Sequence, residues 1–536
     1  LVKETKFKST VVLIMVSVFL SRIMGFVRTA LIPLKMGGLS DVTDAYIAAF
    51  QVPDFMYSML VGGAIASSLI PVLASYISKN DEKRGWRSVS SFINFTAILM
   101  FIIVILGMIF TEPLVKVFFS EYGAAKLALT VELTRKLMPI AFFMMLAGLC
   151  NGVMNSYNEF IIPAFGPCLY NLACVISIAL LSNNNVNDGY GVRNVVLGIT
   201  VCAGFYFLFQ FIFAAKHFKN NYQPIIEFHE NDFKLLLALA VPSLLTSTLV
   251  QVNYIISKYF AQFFDTGAVT ALELANKTWQ MPLGIIGQAI GIAMLPSLAA
   301  VYNSDKIPEL IRKINSAMRL VIFLAIPSTI GLAVMSKPLI QVLFNFGTIG
   351  DEGVLFTASL LIGYSVALIM QCLITILDRI YFSTKNSIIP FWGSLICAVA
   401  NFLIAYLLLN FTGIGIYGIP VAYSIASLLD CTFLILLFKT RIPSYKFSAN
   451  TSTIVKSLIC TVVMGVLIYV IDLYAMPALF GGYILEIRKL MQFLWVSIEL
   501  IIGITAYMSL AYLIGCEEAR DLVHIASAKI KKIIGK

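Results

Sequence analysis

Charge is what this 536-residue chain has least of: Asp, Glu, Lys and Arg together make up 12%, about half the share of a soluble domain. Histidine is scarcer still, with His217, His229 and His524 all in polar stretches, so a histidine metal cluster is excluded. The nine cysteines lie in or at the ends of apolar segments without a C-x-x-C pair. They read as small buried hydrophobes, not as a disulfide or zinc framework. There is no Walker loop, no H-E-x-x-H and no G-x-S-x-G, and no loop offers paired carboxylates for metal-assisted transfer. ATP coupling within the chain and ordinary hydrolytic chemistry are therefore not expected: the chain reads as no enzyme and as having no organic cofactor.

What is present is apolar. The chain is 59% hydrophobic, with a mean hydropathy of +0.90. Runs long enough to cross about 30 Å of hydrocarbon as helices recur throughout. The fold class expected is an all-α polytopic membrane protein with about fourteen transmembrane helices. The spans fall near 9–34, 43–77, 89–111, 127–156, 161–181, 193–215, 233–262, 268–302, 317–336, 355–382, 388–410, 415–438, 454–474 and 489–515; they are numbered 1 to 14 below. The start, Lys3, Lys6 and Lys8 before "VVLIMVSVFL", resembles a signal peptide but continues apolar past Ser21 without a cleavage site, so an uncleaved first helix is expected.

The net charge of +10 falls in alternate loops. "SKNDEKRGWR" (78–87), "KHFKNN" (216–221), "DKIPELIRK" (305–313), "KTRIPSYK" (439–446) and "SAKIKKIIGK" (527–536) are basic; "SNNNVNDGYG" (182–191), "DTG" (265–267) and "FTGIG" (411–415) carry almost no positive charge. The positive-inside rule then places both termini in the cytoplasm and makes nucleic acid an unneeded partner. The last twenty residues mix isoleucines with lysines and suit either a helix on the inner membrane surface or a frayed basic tail.

An internal repeat organises the spans. "ASSLIPVLASYISKNDEKRGWRSVSSFIN" (66–94) resembles "GIAMLPSLAAVYNSDKIPELIRKINSAMR" (291–319), matching Pro71 to Pro296 at an offset of 225. "NEFIIPAF" (158–165) resembles "KNSIIPFW" (385–392), matching Pro163 to Pro390 at an offset of 227. Six spans per half means a parallel duplication, an arrangement common in transporters that rock about a central cavity. The expected divisions are an N-lobe at 1–225, a C-lobe at 226–446, spans 13 and 14 at 447–516 and a basic tail at 517–536.

Charges inside the spans are the candidate functional residues, because lipid exposure costs each several kcal/mol, roughly, by contested scales. "FLSRIMGFVRTALIPLKMGG" (19–38) puts Arg22 near mid-membrane and Arg28 about 240° further round an ideal helix. Gly25 and Pro33 are candidate bends, and Asp44 and Asp54, early in span 2, are candidate counter-ions. Glu273 and Lys277 stand i,i+4 and can neutralise each other. Asp378, Arg379 and Asp430 lie in spans 10 and 12, Asp472 and Glu499 in spans 13 and 14. A cavity lined by arginine and lysine suits an anion, and the guanidinium fork suits phosphate. A multidrug exporter of lipophilic cations is expected to present mainly carboxylates. The small residues of "LVGGAIASSLIP" (60–71) allow close helix approach or local unwinding.

"SRIMGFVRTALI" (21–32), "TDAYIAAFQVPDF" (43–55), "GGAIASSLIPVLASY" (62–76), "NGVMNSYNEFIIPAFGPCLYN" (151–171), "AMLPSLAAVY" (293–302), "LFNFG" (343–347) and "DRIYFSTKNSIIP" (378–390) occur in one order. Together the chain resembles the MurJ (MviN) lipid II flippase family of the multidrug/oligosaccharidyl-lipid/polysaccharide exporter superfamily. The resemblance implies two parallel six-helix lobes around a central cavity, with spans 13 and 14 forming a groove for a lipid tail. It implies a monomer in the bacterial inner membrane that moves the undecaprenyl-pyrophosphate-linked peptidoglycan precursor to the outer leaflet by alternating access. The family's cavity arginines carry over to Arg22 and Arg28, its span 2 aspartate to Asp44, and the positive charge of its span 8 acid–arginine pair to Lys277, as Asn276-Lys277. Asp44 is then expected to orient the arginines or to gate the cavity.

Two departures lie in span 2. An arginine usual in span 2 is replaced at Tyr57-Ser58, and a glutamate usual before G-A reads Gly62. Some members bind sodium between spans 7 and 11, where Asn253 and Asn401 are the candidates here. Lys258 can serve as an internal cation instead, and Asp54 and Glu273 are further cavity or coupling candidates. A monovalent cation or the membrane potential is the coupling expected. These departures keep a second flippase reading open, for another polyprenyl-linked oligosaccharide such as a capsule or O-antigen unit. A cation-coupled drug exporter and a membrane glycan transferase rank lower.

Overall fold

The structure, a computed structural model, describes residues 2–61, 68–219, 221–227, 231–288, 290–291, 294, 298, 301–302, 306–345, 348–384, 386, 388–442, 445, 447–480 and 485–524. Helices make up the fold, with no strand among the described residues. Ten of the described helices are long and apolar enough to cross a membrane, and helices also run through expected spans 1, 2, 7 and 8. The chain forms two compact units: residues 1–273 with 347–349, and residues 274–346 with 350–536.

In the first unit span 1 is one helix, Val2–Lys35. Span 2, expected as one run, is interrupted at Phe50 between Asp41–Ala49 and Gln51–Val61, and its described residues end in Ile70–Ser78. Pro53 explains the interruption: it has no N–H for the Ala49 carbonyl, so the chain bends at Phe50. Ser40 starts the series with a capping box, its Oγ accepting from the Thr43 N–H at 3.3 Å while Thr43 Oγ1 accepts from the Ser40 N–H at 2.9 Å. Most of the small-residue stretch, residues 62–67 with Gly62, lies outside the described residues. Spans 3 to 6 are Glu82–Ile109, Ala124–Ser156, Ile161–Leu181 and Val192–Phe218. Span 7 is Asn231–Ala261, and span 8 begins as Ala268–Leu283.

The second unit takes over inside span 8. Two residues after Pro282 the helix passes into a π turn, Gly284–Gln288. Spans 9 to 14 are Ile307–Val334, Gly350–Ser383, Ile388–Phe411, Gly418–Arg441, Thr451–Phe480 and Leu485–Leu513. Spans 9, 13 and 14 share a core of Phe323, Cys460, Met464, Ile468, Val496 and Tyr507. The Tyr507 hydroxyl donates to the Phe323 carbonyl at 2.7 Å. Outward faces carry large apolar side chains such as Phe101, Phe205, Ile212, Leu436 and Val466, as lipid contact demands.

The two halves repeat in detail. Pro163 and Pro390 are each the third residue of their helix. On the basic-loop side of the first unit, Asn94 Nδ2 donates to the Ile225 carbonyl at 2.9 Å, fastening the strap after span 6 over span 3. In the second unit Arg319 Nη2 donates to the Ala449 carbonyl at 3.0 Å, fastening the strap after span 12 over span 9. Arg319 follows Asn94 by 225 residues and Ala449 follows Ile225 by 224, close to the sequence-repeat offsets of 225 and 227. Pro296, partner of Pro71, and the tail from residue 525 lie outside the described residues.

Candidate functional site

Span 1 reaches its arginines without a bend, since the helix continues through Gly25 and Pro33. Gly25 serves close approach instead: a Cβ there would lie 3.4 Å from the Asn171 amide of span 5, which donates to the Ser21 carbonyl at 3.3 Å. One turn on, Arg28 is partly buried, and its guanidinium lies 5.1 Å from the Phe50 ring centroid and 5.9 Å from that of Tyr170. Phe50 stands at the Pro53 bend, edge-on to Tyr46 at 5.2 Å. Ring faces at these distances contribute about 0.5–2 kcal/mol each to holding a cation. Unlike a carboxylate, they leave its charge and its fork of N–H donors available to a phosphate. Arg22 is also partly buried, and Asp54 is exposed.

Asp44 does something other than orient an arginine. Its side chain is 1% exposed, and its carboxylate accepts from Lys126 Nζ at 2.8 Å, the Gly267 N–H at 2.8 Å, the Thr270 N–H at 2.8 Å and the Thr270 hydroxyl at 2.7 Å. It thereby caps the first turn of span 8 and ties it to spans 2 and 4. Lys126 also pairs with Asp41 at 3.0 Å and lies over the Tyr122 ring at 4.4 Å. This clasp sits on the loop side that carries little positive charge. It lies within the first compact unit, which includes span 8 as far as Glu273.

Glu273 pairs across to Lys258 of span 7 at 3.4 Å, both side chains mostly buried, in addition to standing i,i+4 from Lys277. Lys277 is exposed and belongs to the second unit. Its neighbour Asn276 is held within the helix, its Oδ1 accepting from Trp279 Nε1 and Gln280 Nε2, both at 2.9 Å. Asn253 donates to the Leu249 carbonyl of its own helix at 3.5 Å, while Asn401, fully buried in span 11, belongs to the other unit. Tyr57 is partly buried, and the Ser58 hydroxyl donates to the Phe55 carbonyl at 2.9 Å. Among the described residues no three His, Cys, Asp or Glu side chains are grouped to hold a metal ion.

The sequence reading missed Lys126, Thr270, Phe50 and Tyr170. Lys126 had a signal, being a lysine on the sparsely charged side. The aromatic pair had none, since Phe50 and Tyr170 are remote in sequence and rings are common in membrane helices.

What the arrangement can do chemically is hold an anion at span 1 beneath a polar clasp. Comparison with known proteins bears on the family of the whole chain. The family model described as lipid II flippase MurJ matches residues 35–488. A probable lipid II flippase MurJ of Bdellovibrio bacteriovorus is 26% identical over 509 residues, covering 93% of each chain. That of Rickettsia prowazekii is 28% identical over 522 residues, covering 95% of this chain and 98% of the other. These alignments take in nearly the whole chain, whereas the family model begins after both arginines of span 1. Among solved structures, a lipid II flippase MurJ in an inward closed conformation superimposes with a TM-score of 0.77 over 96% of this chain and 100% of that one, at 23% identity. An inward-facing multidrug transporter of the MATE family, in the MOP superfamily, gives 0.66 over 78% of this chain and 95% of that one, at 15% identity. The family model spans most of the chain, and with it the chain belongs to the MurJ family of lipid II flippases.

Proposed function

We infer that this protein is a lipid II flippase, carrying the undecaprenyl-pyrophosphate-linked peptidoglycan precursor from the inner to the outer leaflet of a bacterial inner membrane by alternating access. Beyond the family match, the observation that supports it is Arg28: a guanidinium inside an apolar helix, set against two rings, with no carboxylate paired to it among the described residues. A pyrophosphate is the ligand such a fork recognises. In this reading Arg22, Arg28 and Lys277 engage the pyrophosphate, spans 13 and 14 take the lipid tail, and release of the Asp44 clasp opens the side facing the outer leaflet. The protein works as a monomer with both termini in the cytoplasm, coupled to a monovalent cation or to the membrane potential.

Complementation of a strain depleted of its own lipid II flippase tests the activity. Binding of purified protein to lipid II and to a different undecaprenyl-pyrophosphate glycan tests the site. Preferential lipid II binding that falls at least tenfold, about 1.4 kcal/mol, in Arg22→Ala and in Arg28→Ala is expected. Equal or reversed preference, without complementation, would transfer the reading to another polyprenyl-linked glycan; binding indifferent to both arginines would remove the pyrophosphate from span 1.

A further inference from the structure

Each half has a cavity at its basic end, beside the start of its third span, and the two differ in how their arginines are engaged. In the first half Arg84 pairs with Asp232 at 3.0 Å and Arg87 with Glu227 at 2.6 Å. In the second half Arg312 follows Arg87 by 225 residues, while the residues 224 and 225 after Glu227 are Thr451 and Ser452. The arginine is kept and its acid is lost. Arg312 is exposed and pairs with no acid among the described residues.

The second cavity, of about 400 Å³, lies between the first turns of span 9 and the helical residues 517–524. Small-ligand sites occupy about 300–1,000 Å³. Arg312 and Ser316, at i,i+4, present a guanidinium and a hydroxyl from one helix face. Asp521 lines the cavity from the other helix, exposed and without an ion pair among the described residues. The other acids there are already engaged. Glu517 pairs with Arg319 at 2.9 Å, and Glu518 accepts from the Thr453 hydroxyl at 2.8 Å. Two further lining residues keep a buried polar atom without a hydrogen bond among the described residues, Asn315 Oδ1 and Arg319 Nε.

One cavity thus holds two uncommitted charges of opposite sign, contributed by different helices. A guanidinium fork takes a phosphate. A primary ammonium donates up to three hydrogen bonds to carboxylates, whereas a trimethylammonium donates none. A purely anionic group would lie against Glu517, Glu518 and Asp521, and a bare cation would leave Arg312 unmatched. Position then selects a lipid over a free zwitterion. The basic loops mark the headgroup level, and Leu513 and Ile514, exposed at the end of span 14, offer an apolar surface just before Glu517.

We propose that this cavity binds the headgroup of an ethanolamine phospholipid, with the phosphate on Arg312 and Ser316, the ammonium on Asp521 and the acyl chains against Leu513 and Ile514. The site lies within the second unit alone, and it does not depend on which glycan lipid is carried.

The test is native mass spectrometry of the purified full chain, delipidated in detergent and titrated with phosphatidylethanolamine, phosphatidylcholine or phosphatidylglycerol of the same acyl chains. One phosphatidylethanolamine is expected to bind at least tenfold more tightly than either of the others. Arg312→Gln should weaken it at least tenfold. Asp521→Asn should abolish the preference over phosphatidylcholine while the lipid still binds. Lys313→Gln alters a neighbouring charge that does not line the cavity and should behave as the parent. Arg312 and Asp521 are exposed, so both variants should unfold at the parent's midpoint, which separates lost binding from misfolding. Glycerophosphoethanolamine, which has the headgroup without acyl chains, should compete only at a concentration at least tenfold higher. Equal binding of the three lipids, tighter binding of phosphatidylglycerol, parent-like binding in Arg312→Gln, or competition by the soluble headgroup at the lipid's own concentration would each overturn the site.

Discussion

Asp44 gathers a lysine, two backbone N–H groups and a hydroxyl, and Asp41 shares the same lysine from an exposed position. The two aspartates make a matched experiment. Removing a charge-assisted, buried acceptor costs about 2–3 kcal/mol, whereas an exposed ion pair contributes about 0–1 kcal/mol. Asp44→Asn should therefore lower the unfolding midpoint clearly and raise cysteine labelling at the span 2 and span 8 ends. Asp41→Asn should change neither by much. Lys126→Met should resemble Asp44→Asn; if it instead matches Asp41→Asn, the backbone donors of span 8 hold Asp44 without the lysine. The arginines of span 1 were legible in the sequence because a guanidinium interrupts an apolar run. The work of Asp44 was not, because its partners lie 82 and 226 residues away.

Helices in this protein were more legible than their interruptions. Apolar length fixes where a span lies, but a proline acts on the carbonyl four residues before it, and the packing around it decides whether the helix breaks. Pro53 breaks span 2 at Phe50 and Pro282 precedes a π turn, whereas Pro139, Pro167 and Pro327 sit inside continuous helices. Helix ends on the basic side are then held by charge. The Arg87 guanidinium bonds Glu227 and holds its carboxyl below the ordinary range against the opposing effect of desolvation. At Glu159 burial pushes the carboxyl up, but bonds from Lys216 and His217 outweigh it, and the net shift is downward. A carboxyl lowered in the folded state stabilises the protein above its unfolded value of about 4.3. That contribution disappears as pH falls through the lower folded value. The unfolding midpoint should hold between about pH 8 and 5.5 and drop below about pH 4.5. In the double variant Glu159→Gln, Glu227→Gln the drop should be shallower, and an unaltered acid limb would remove these two groups as its cause.

At the scale of the whole molecule the duplication carries physical content beyond matching letters. Each half closes its basic end by laying the strap after its sixth span across its third span, and each uses the residue at the equivalent position to bond a strap carbonyl. Asn94 and Arg319 differ in charge and length, so alignment of the letters there suggested nothing; the shared requirement is one side-chain donor reaching one backbone acceptor. Arg319 has in addition an exposed pair with Glu517 at 2.9 Å, which contributes about 0–1 kcal/mol. If the donor is what matters, Arg319→Asn, which installs the residue of the first half, should stay within about 1 kcal/mol of the parent. Arg319→Ala and Asn94→Ala each leave a carbonyl without its partner and should each lose about 1–3 kcal/mol. Because the two straps share no partner and belong to separate units, the losses should add within about 0.5 kcal/mol in the double variant. Should Arg319→Asn fall as far as Arg319→Ala, the second strap would depend on the guanidinium charge and the two halves would close their ends by different means.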